Sequence, residues 1–165
     1  MTDLLENFIN GNDAALSGKV PPTIFNSWQR CRELSVNHTR IQHGDVLQQP
    51  ELKQLREQNT GLLFAAEPVM RHIFDFLRNT NYLIVLSDDR GYILTTIGNP
   101  SFLERTRQIY LLPGVNWQEK LKGTNGIGTV LVEQTPLIIP NWTHYSSPVN
   151  FLDCWAAPVK NNGKL

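Results

Sequence analysis

The residues best suited to hold a ligand lie in a glycine-rich stretch at positions 123–129, Gly-Thr-Asn-Gly-Ile-Gly-Thr. Glycines let another group approach the backbone closely, and a helix N-terminus offers N–H groups to an anion or a carbonyl oxygen. The stretch lacks the Lys-Ser/Thr pair of a P-loop, and a charged segment rather than a strand precedes it, so neither nucleotide-binding fingerprint applies. Two interpretations stay open: the small residues contact a ligand, or they only let a helix lie close on a sheet. Under the first, the ligand-binding residues are Thr124, Asn125, Gly126, Ile127 and Gly128.

Aromatic residues concentrate in the second half of the chain, and aromatics in loops over a sheet often line ligand cavities. The candidates for such a lining are Trp117, Trp142, His144, Tyr145 and Phe151. His144 is the best polar candidate, because a neutral imidazole in a loop can hydrogen-bond a ligand. Core filling, a capping role or simple exposure would account for the same residues without a ligand.

Catalytic and metal chemistry have little support in the sequence. His38 and His43 lie five apart and His72 lies near Asp75, but no pair has a zinc spacing with further cysteine or histidine ligands. Cys154 opens an apolar strand, which favours a buried and inert thiol and argues against a catalytic pair with His144. We include Cys154 among the candidate ligand-binding residues. We therefore expect no catalytic residue, no metal, no cofactor and no enzymatic activity.

Composition narrows the class of protein. The 165 residues suffice for one domain and are too few for two full ones. The 15 basic and 15 acidic residues cancel, so no net field attracts nucleic acid or an anionic membrane. The start of the chain lacks the apolar core of a signal peptide, and no apolar run is long enough to span a bilayer. We expect a cytoplasmic protein without membrane contact, whose two cysteines, Cys31 and Cys154, are free thiols.

Helices are predicted to build the first part of the chain. Residues 1–50 form an N-terminal helical segment, in which a second helix begins at the N-cap Thr23. Its buried face is predicted to carry Ile24, Trp28, Cys31 and Leu34.

The segment 51–80 has the strongest helical pattern and is interpreted as connecting helices. A heptad-like apolar stripe runs through Leu52, Leu55, Asn59, Leu62, Ala66, Val69 and Ile73. Asn59 occupies a position where a buried polar residue can fix the register of paired helices. Pro68 either kinks one helix or sits in the first turn of a second. The stripe either packs on the domain's own sheet or forms a dimer seam.

Strands are predicted from residue 81 onwards, where a domain spanning 81–165 begins. Residues 82–86 and 92–97 form a hairpin, a helix follows at 101–110, another covers 123–133, and strands follow at 136–139 and 154–159. Strand pairs separated by helices indicate an α+β fold with a central antiparallel sheet flanked by helices. The turn expected at Asn162-Gly163 requires a partner strand after residue 165, so we expect an incomplete domain within a longer protein.

Four stretches share a specific order and spacing. They are Ser27-Trp-Gln-Arg-Cys31, the helical pattern from Glu51 to Pro68, Trp117-Gln-Glu119 followed by 123–129, and Cys154-Trp-Ala-Ala-Pro-Val159. From about residue 20 onwards the chain resembles the N-terminal sensor region of bacterial enhancer-binding regulators of the acetoin and dihydroxyacetone/glycerol catabolism type.

This resemblance implies a GAF fold with a ligand cavity under its loops. It also implies a sensor that binds a small metabolite, such as an acetoin-like or three-carbon carbonyl compound. The dimer-seam interpretation of the helical stripe adds the expectation of a homodimer. In such regulators a AAA+ ATPase module and a helix-turn-helix follow, and they act with sigma-54 RNA polymerase. Contact with RNA polymerase and DNA would therefore come only through domains absent from this chain.

The sequence departs from that family at one point and leaves two alternatives open. The family's acidic-His-aromatic triplet corresponds to Thr143-His144-Tyr145 here, so the acidic position is lost and ligand specificity is expected to differ. The first alternative is a protein-interaction or dimerisation module that senses a metabolic enzyme. The second is an enzyme like the GAF-fold methionine sulfoxide reductases, which the single cysteine in the GAF part argues against.

Overall fold

Helices and short antiparallel strands alternate along the chain. The computed structural model describes residues 3–16, 18–42, 44–77 and 80–160. The helices are α1 (Asp3–Ile9), α2 (Pro22–Glu33), α3 (Gln49–Gln58), α4 (Thr60–Phe76), α5 (Pro100–Arg107), α6 (Glu119–Lys122) and α7 (Gly126–Glu133). The strands are β1 (Leu83–Ser87), β2 (Ile93–Gly98), β3 (Leu137–Ile139) and β4 (Cys154–Ala156). The predicted α+β fold class is confirmed.

The chain divides into two compact units. One combines Met1–Gln42 with Gln118–Leu165, and the other is His43–Trp117. In the described residues each unit holds one two-stranded antiparallel sheet, β3-β4 in the first and β1-β2 in the second. The domain boundaries expected at residues 50 and 80 stay a prediction.

The first unit has α2 at the centre of its core. Pro22 starts the helix one residue before the predicted N-cap Thr23, because proline fits the first turn, where its missing N–H has no intrahelical partner. Ile24, Trp28 and Cys31 are buried as predicted. Leu34, expected on the same face, is 55% exposed, because α2 ends at Glu33 and Leu34 lies outside the helix.

The antiparallel pair β3-β4 closes this unit. Leu137 pairs with Ala156 and Ile139 pairs with Cys154. The strand predicted at 154–159 ends at Ala156, and Pro158, which has no N–H to donate, follows shortly after. The turn predicted at Asn162-Gly163 lies outside the described residues.

The second unit contains the hairpin predicted from the sequence. β1 and β2 pair antiparallel, from Leu83 opposite Gly98 to Ser87 opposite Ile93. The apolar core of this unit joins the hairpin to α3 and α4 through Leu55, Met70, Leu86 and Leu94. No described helix is both long and apolar enough to cross a bilayer.

The helical stripe at 51–73 is divided between two helices. Asn59 ends α3, and its side-chain amide donates to the carbonyl of Leu55 at 2.9 Å, one turn back in the same helix. Pro68 lies inside α4, so its placement in a first turn is wrong and the break falls at Asn59 instead. Leu52 and Leu55 are buried, whereas Val69 and Ile73 are exposed. The first part of the stripe therefore packs within its own unit.

Replacing Gly123 with alanine is expected to destabilise the fold. Gly123 ends α6 with φ +74° and ψ −168°, a conformation that only glycine adopts readily. A Cβ there would lie 2.8 Å from the Cβ of Tyr145. Backbone strain and this clash together should lower the free energy of unfolding by about 3 kcal/mol, measured by urea denaturation.

Gly11→Ala is the matched control for that substitution. Gly11 also has a positive φ, +79°, but an added Cβ would meet nothing within 4 Å. Gly11→Ala should lower the free energy of unfolding by only about 1 kcal/mol, from backbone strain alone. Equal losses for the two variants would show that the contact with Tyr145 does not matter.

Candidate functional site

The N-terminus of α7, where ligand binding was predicted, is capped by the side chain of Asn125. Asn125 is buried, and its Oδ1 accepts the N–H groups of Ile127 and Gly128, each at 2.9 Å. Its Nδ2 donates to the carbonyl of Gly123 at 2.8 Å. The helix therefore begins at Gly126 and not at Gly123, as an Asn cap dictates. Two N–H groups that a ligand was expected to use serve the cap.

Thr124 belongs to a buried polar network. Its hydroxyl lies 2.7 Å from that of Ser27, and Ser27 donates to the carboxylate of Glu119 at 2.6 Å. Arg30 holds the same carboxylate through two hydrogen bonds, of 2.8 and 3.0 Å. Hydrogen bonding to Glu119 raises the pKa of Arg30. The sequence placed Ser27, Arg30 and Glu119 in distinctive motifs, but nothing in it indicated that their side chains meet.

His144, Cys154 and Gly126 meet at the N-terminus of α7. The imidazole Nε2 lies 3.5 Å from the thiol, and Nδ1 lies 3.2 Å from the carbonyl of Asn141. Since a carbonyl can only accept, Nδ1 carries the proton and Nε2 accepts from the S–H group. A Cβ on Gly126 would lie 3.0 Å from the Cβ of Cys154, so any larger residue at this position would push Cys154 away. We call these three residues the α7 junction.

The α7 junction is uncharged at neutral pH. Burial lowers the pKa of His144 to about 4, and burial raises the pKa of Cys154 to about 11. A nucleophilic cysteine needs a thiolate, which both shifts oppose. Cys31 and Cys154 are free thiols, as predicted.

The remaining aromatic candidates differ in their surroundings. Trp117 belongs to the second unit, where it is buried and donates from its indole Nε1 to the carbonyl of Tyr110 at 2.9 Å. Tyr145 is buried beside Gly123, whereas Trp142 and Phe151 are half-buried. Ligand binding by any of the proposed residues stays a prediction.

Two cavities lie within the second unit. The larger, of about 390 Å³, lies among α3, β2, α5 and residues 111–113, and a neighbouring one of about 300 Å³ lies along α3. None of the predicted ligand-binding residues lines either cavity. Sequence reasoning missed this site because its arginines, Arg56 and Arg107, resemble ordinary surface charges of amphipathic helices.

Metal binding gains no support from the described residues. Their His, Cys, Asp and Glu side chains form no group of three or more that could hold an ion. His43, one of the histidines considered, lies outside the described residues.

The buried His144 should make the fold sensitive to acid. The unfolded chain takes up a proton near the ordinary histidine pKa of 6.5, whereas the folded chain does so only near pH 4. Stability is therefore present above pH 6.5 and is lost as the pH falls towards 4, by about 3 kcal/mol from this residue. Urea denaturation between pH 4 and 7.5 measures how the free energy of unfolding changes with pH.

His144→Gln should remove that part of the pH dependence, even if it lowers stability throughout. His72→Gln, at an exposed position of α4, should keep the wild-type slope. The explanation is wrong if the free energies of unfolding of the wild type and of His144→Gln depend on pH to the same extent.

Curated relatives of the chain are transcriptional activators. It is 32% identical over 136 residues to the acetoin dehydrogenase operon transcriptional activator AcoR of Bacillus subtilis. It is 34% identical over 144 residues to the propane 2-monooxygenase operon transcriptional activator MimR of Mycolicibacterium goodii. These alignments cover 82% and 86% of this chain but only 22% and 23% of the relatives. The chain thus spans less than a quarter of their length.

A solved structure shares the fold. The chain superposes on a chain of the crystal structure of the E. coli DhaR(N)-DhaL complex with a TM-score of 0.74 and 16% sequence identity. The match covers 78% of this chain and 44% of the other. The predicted GAF-like fold is confirmed.

A family of regulator domains accounts for nearly the whole sequence. The sequence profile described as "MimR, N-terminal domain" matches residues 5–164. The predicted resemblance to the N-terminal region of such regulators is confirmed. The chain belongs to the MimR N-terminal domain family.

Proposed function

We propose that this chain is the signal-sensing module of a bacterial transcriptional activator. It binds a small metabolite and passes the signal to domains outside this sequence. The relatives with matching regions activate operons for acetoin dehydrogenase and propane 2-monooxygenase, both of which serve the use of small carbon compounds. A module that detects a compound of that size suits such regulators.

The observation that carries the proposal is the α7 junction itself. It unites the start of α7, the irregular segment 141–153 and the first residue of β4, so residues far apart in sequence converge on one point. The segment 141–153 contains only two short 3-10 helices, Asn141–Thr143 and Ser147–Val149. Single hydrogen bonds tie it to earlier parts of the chain, from Trp28 to the carbonyl of Thr143 and from the N–H of Ser147 to the carbonyl of His38. A metabolite that binds an opened arrangement of this segment would shift the population towards it.

The polar groups of the junction favour an uncharged ligand. A neutral imidazole and a neutral thiol can hydrogen-bond hydroxyl and carbonyl oxygens once they no longer bond to each other. A bound charge would find no opposite charge on either group. Acetoin, a small hydroxyketone, has this chemistry and serves as the first probe.

Signalling completes the proposed function. In the full-length protein we place a AAA+ ATPase and a helix-turn-helix beyond this module, acting with sigma-54 RNA polymerase in the cytoplasm. The module has no catalytic task in this scheme, and it requires no cofactor. DNA and RNA polymerase would be contacted only by those further domains.

Titration of acetoin and related hydroxyketones into the 165-residue chain tests the sensor. Calorimetry should detect binding, and amide NMR shifts should concentrate at residues 124–128 and 142–154. His144→Gln should weaken binding at least tenfold because it removes the imidazole, and His72→Gln should not. No binding across the panel, or shifts confined to residues 49–113, would count against the proposal.

A second candidate function is protein interaction through the exposed face of α4. Phe64 and Phe76 are 82% and 85% exposed, and Val69 is 58% exposed. With Ala65 and Pro68 they follow the three- and four-residue spacing of one helix face. Exposed apolar surface of this kind marks interaction sites. We propose that a second copy of the chain covers it and forms a homodimer.

The oligomeric state of the chain tests this face. Sedimentation at tens of micromolar should find a dimer for the wild type and a monomer for the double variant Phe64→Glu/Phe76→Glu, since each charge would be buried in the contact. Trp155→Glu alters another exposed aromatic, in the first unit, and should leave the dimer intact. A wild-type monomer at this concentration would contradict the homodimer. In that case a different protein would be the better candidate for this face, as the E. coli neighbour is solved in complex with DhaL.

A further inference from the structure

The larger cavity of the second unit has the dimensions of a ligand site. Its volume of about 390 Å³ falls in the range of 300–1,000 Å³ that small-molecule pockets occupy. One wall is α3, another is β2, and α5 with residues 111–113 completes it. The smaller cavity shares Gln49, Leu52 and Arg56 with it, so the two adjoin each other along α3.

The charge on the lining of this cavity has one sign. Arg56 and Arg107 both line it, and no acidic residue does. Guanidinium groups present paired N–H donors that match the two oxygens of a carboxylate. The cavity therefore favours an anion over a neutral or cationic compound.

Arg56 is already held in place. Its Nε donates to the carbonyl of Leu94 on β2 at 2.8 Å, and the side chain is half-buried. One hydrogen bond through Nε fixes the guanidinium plane, so less rotamer entropy remains to be lost when a ligand binds. A pre-positioned arginine is a feature of binding sites more than of solvated helix faces.

Arg107 can exchange its present partner. It pairs with Glu104 at 3.2 Å on the same helix, and both side chains are about 70% exposed. Exposed pairs of this kind contribute little free energy, so a ligand carboxylate competes with Glu104 at small cost.

Apolar side chains complete the lining. Leu52 and Leu111 are buried and Leu103 is half-buried, while the hydroxyl-bearing Thr96 also borders the cavity. Leucine side chains stabilise a ligand only if it brings apolar surface of its own. An inorganic anion has none, which favours an organic acid with a short carbon chain.

We propose that this cavity binds a small monocarboxylate, with its carboxylate at Arg56 and Arg107 and its carbon chain against the leucines. This site is separate from the α7 junction and takes a charged ligand where the junction takes an uncharged one. Its occupation links α3 to β2 and α5, so it would stabilise the second unit. The proposal does not depend on the sensor function argued above.

Calorimetric titration of the 165-residue chain with butanoate tests the site. Butanamide has the same shape without the charge, and sulfate has the charge without the carbon chain. Butanoate should bind at least tenfold more tightly than either, and its affinity should fall as salt is raised. Amide NMR shifts should concentrate at residues 49–56, 94–96 and 103–113.

Variants at the two arginines complete the test. Arg107→Gln lies at an exposed position and should fold normally, yet weaken butanoate binding about threefold, since an exposed ion pair contributes little free energy. Arg56→Gln should weaken butanoate binding about tenfold, because the Arg56 side chain is half-buried and is held by the carbonyl of Leu94. Thermal unfolding checks that Arg56→Gln is folded. Arg71→Gln removes an exposed arginine of α4 outside the cavity and should leave binding unchanged. Equal affinity for butanoate and butanamide or sulfate, unchanged affinity in Arg107→Gln, or shifts at residues 124–128 and 142–154 instead would overturn the proposal.

Discussion

The buried carboxylate of Glu119 is the constraint on which the first unit depends. A charge removed from water must be paired and hydrogen-bonded, because an uncompensated one costs several kcal/mol. Arg30 and Ser27 on α2 supply that pairing, and Thr124 extends the network. The network therefore fixes the segment before α7 against a helix that lies about ninety positions earlier in the sequence. The cap of α7 and the approach of Cys154 to Gly126 both require that segment to be held.

Sequence patterns predicted the elements wherever local periodicity decided them. The buried face of α2 and the β1-β2 hairpin follow from spacings of three to four and from a β-rich run bounded by turn residues. The break at Asn59 was not predictable, because the apolar stripe continues through it and Pro68 is the more conspicuous helix breaker. The sequence alone does not distinguish an Asn that caps the C-terminus of its own helix from an Asn buried between two paired helices.

The candidate site was predictable only in part, for a similar reason. A glycine-rich helix start indicates exposed N–H groups, but whether a ligand or an Asn side chain accepts them depends on one rotamer. Trp117 was grouped with the loop aromatics, yet its indole bonds to Tyr110 within the other unit. The pair of arginines in the cavity comes from helices that no local pattern relates to each other.

The state of the two thiols has a practical consequence for spectroscopy. Burial and the nearby Glu119 raise the pKa of Cys31 to about 12, and burial raises the pKa of Cys154 to about 11. Maleimide and spin-label reagents react with the thiolate, so both native cysteines are slow targets. A cysteine introduced at an exposed position can therefore carry a fluorophore or nitroxide in an otherwise wild-type chain, without the background mutations that distance measurements usually demand.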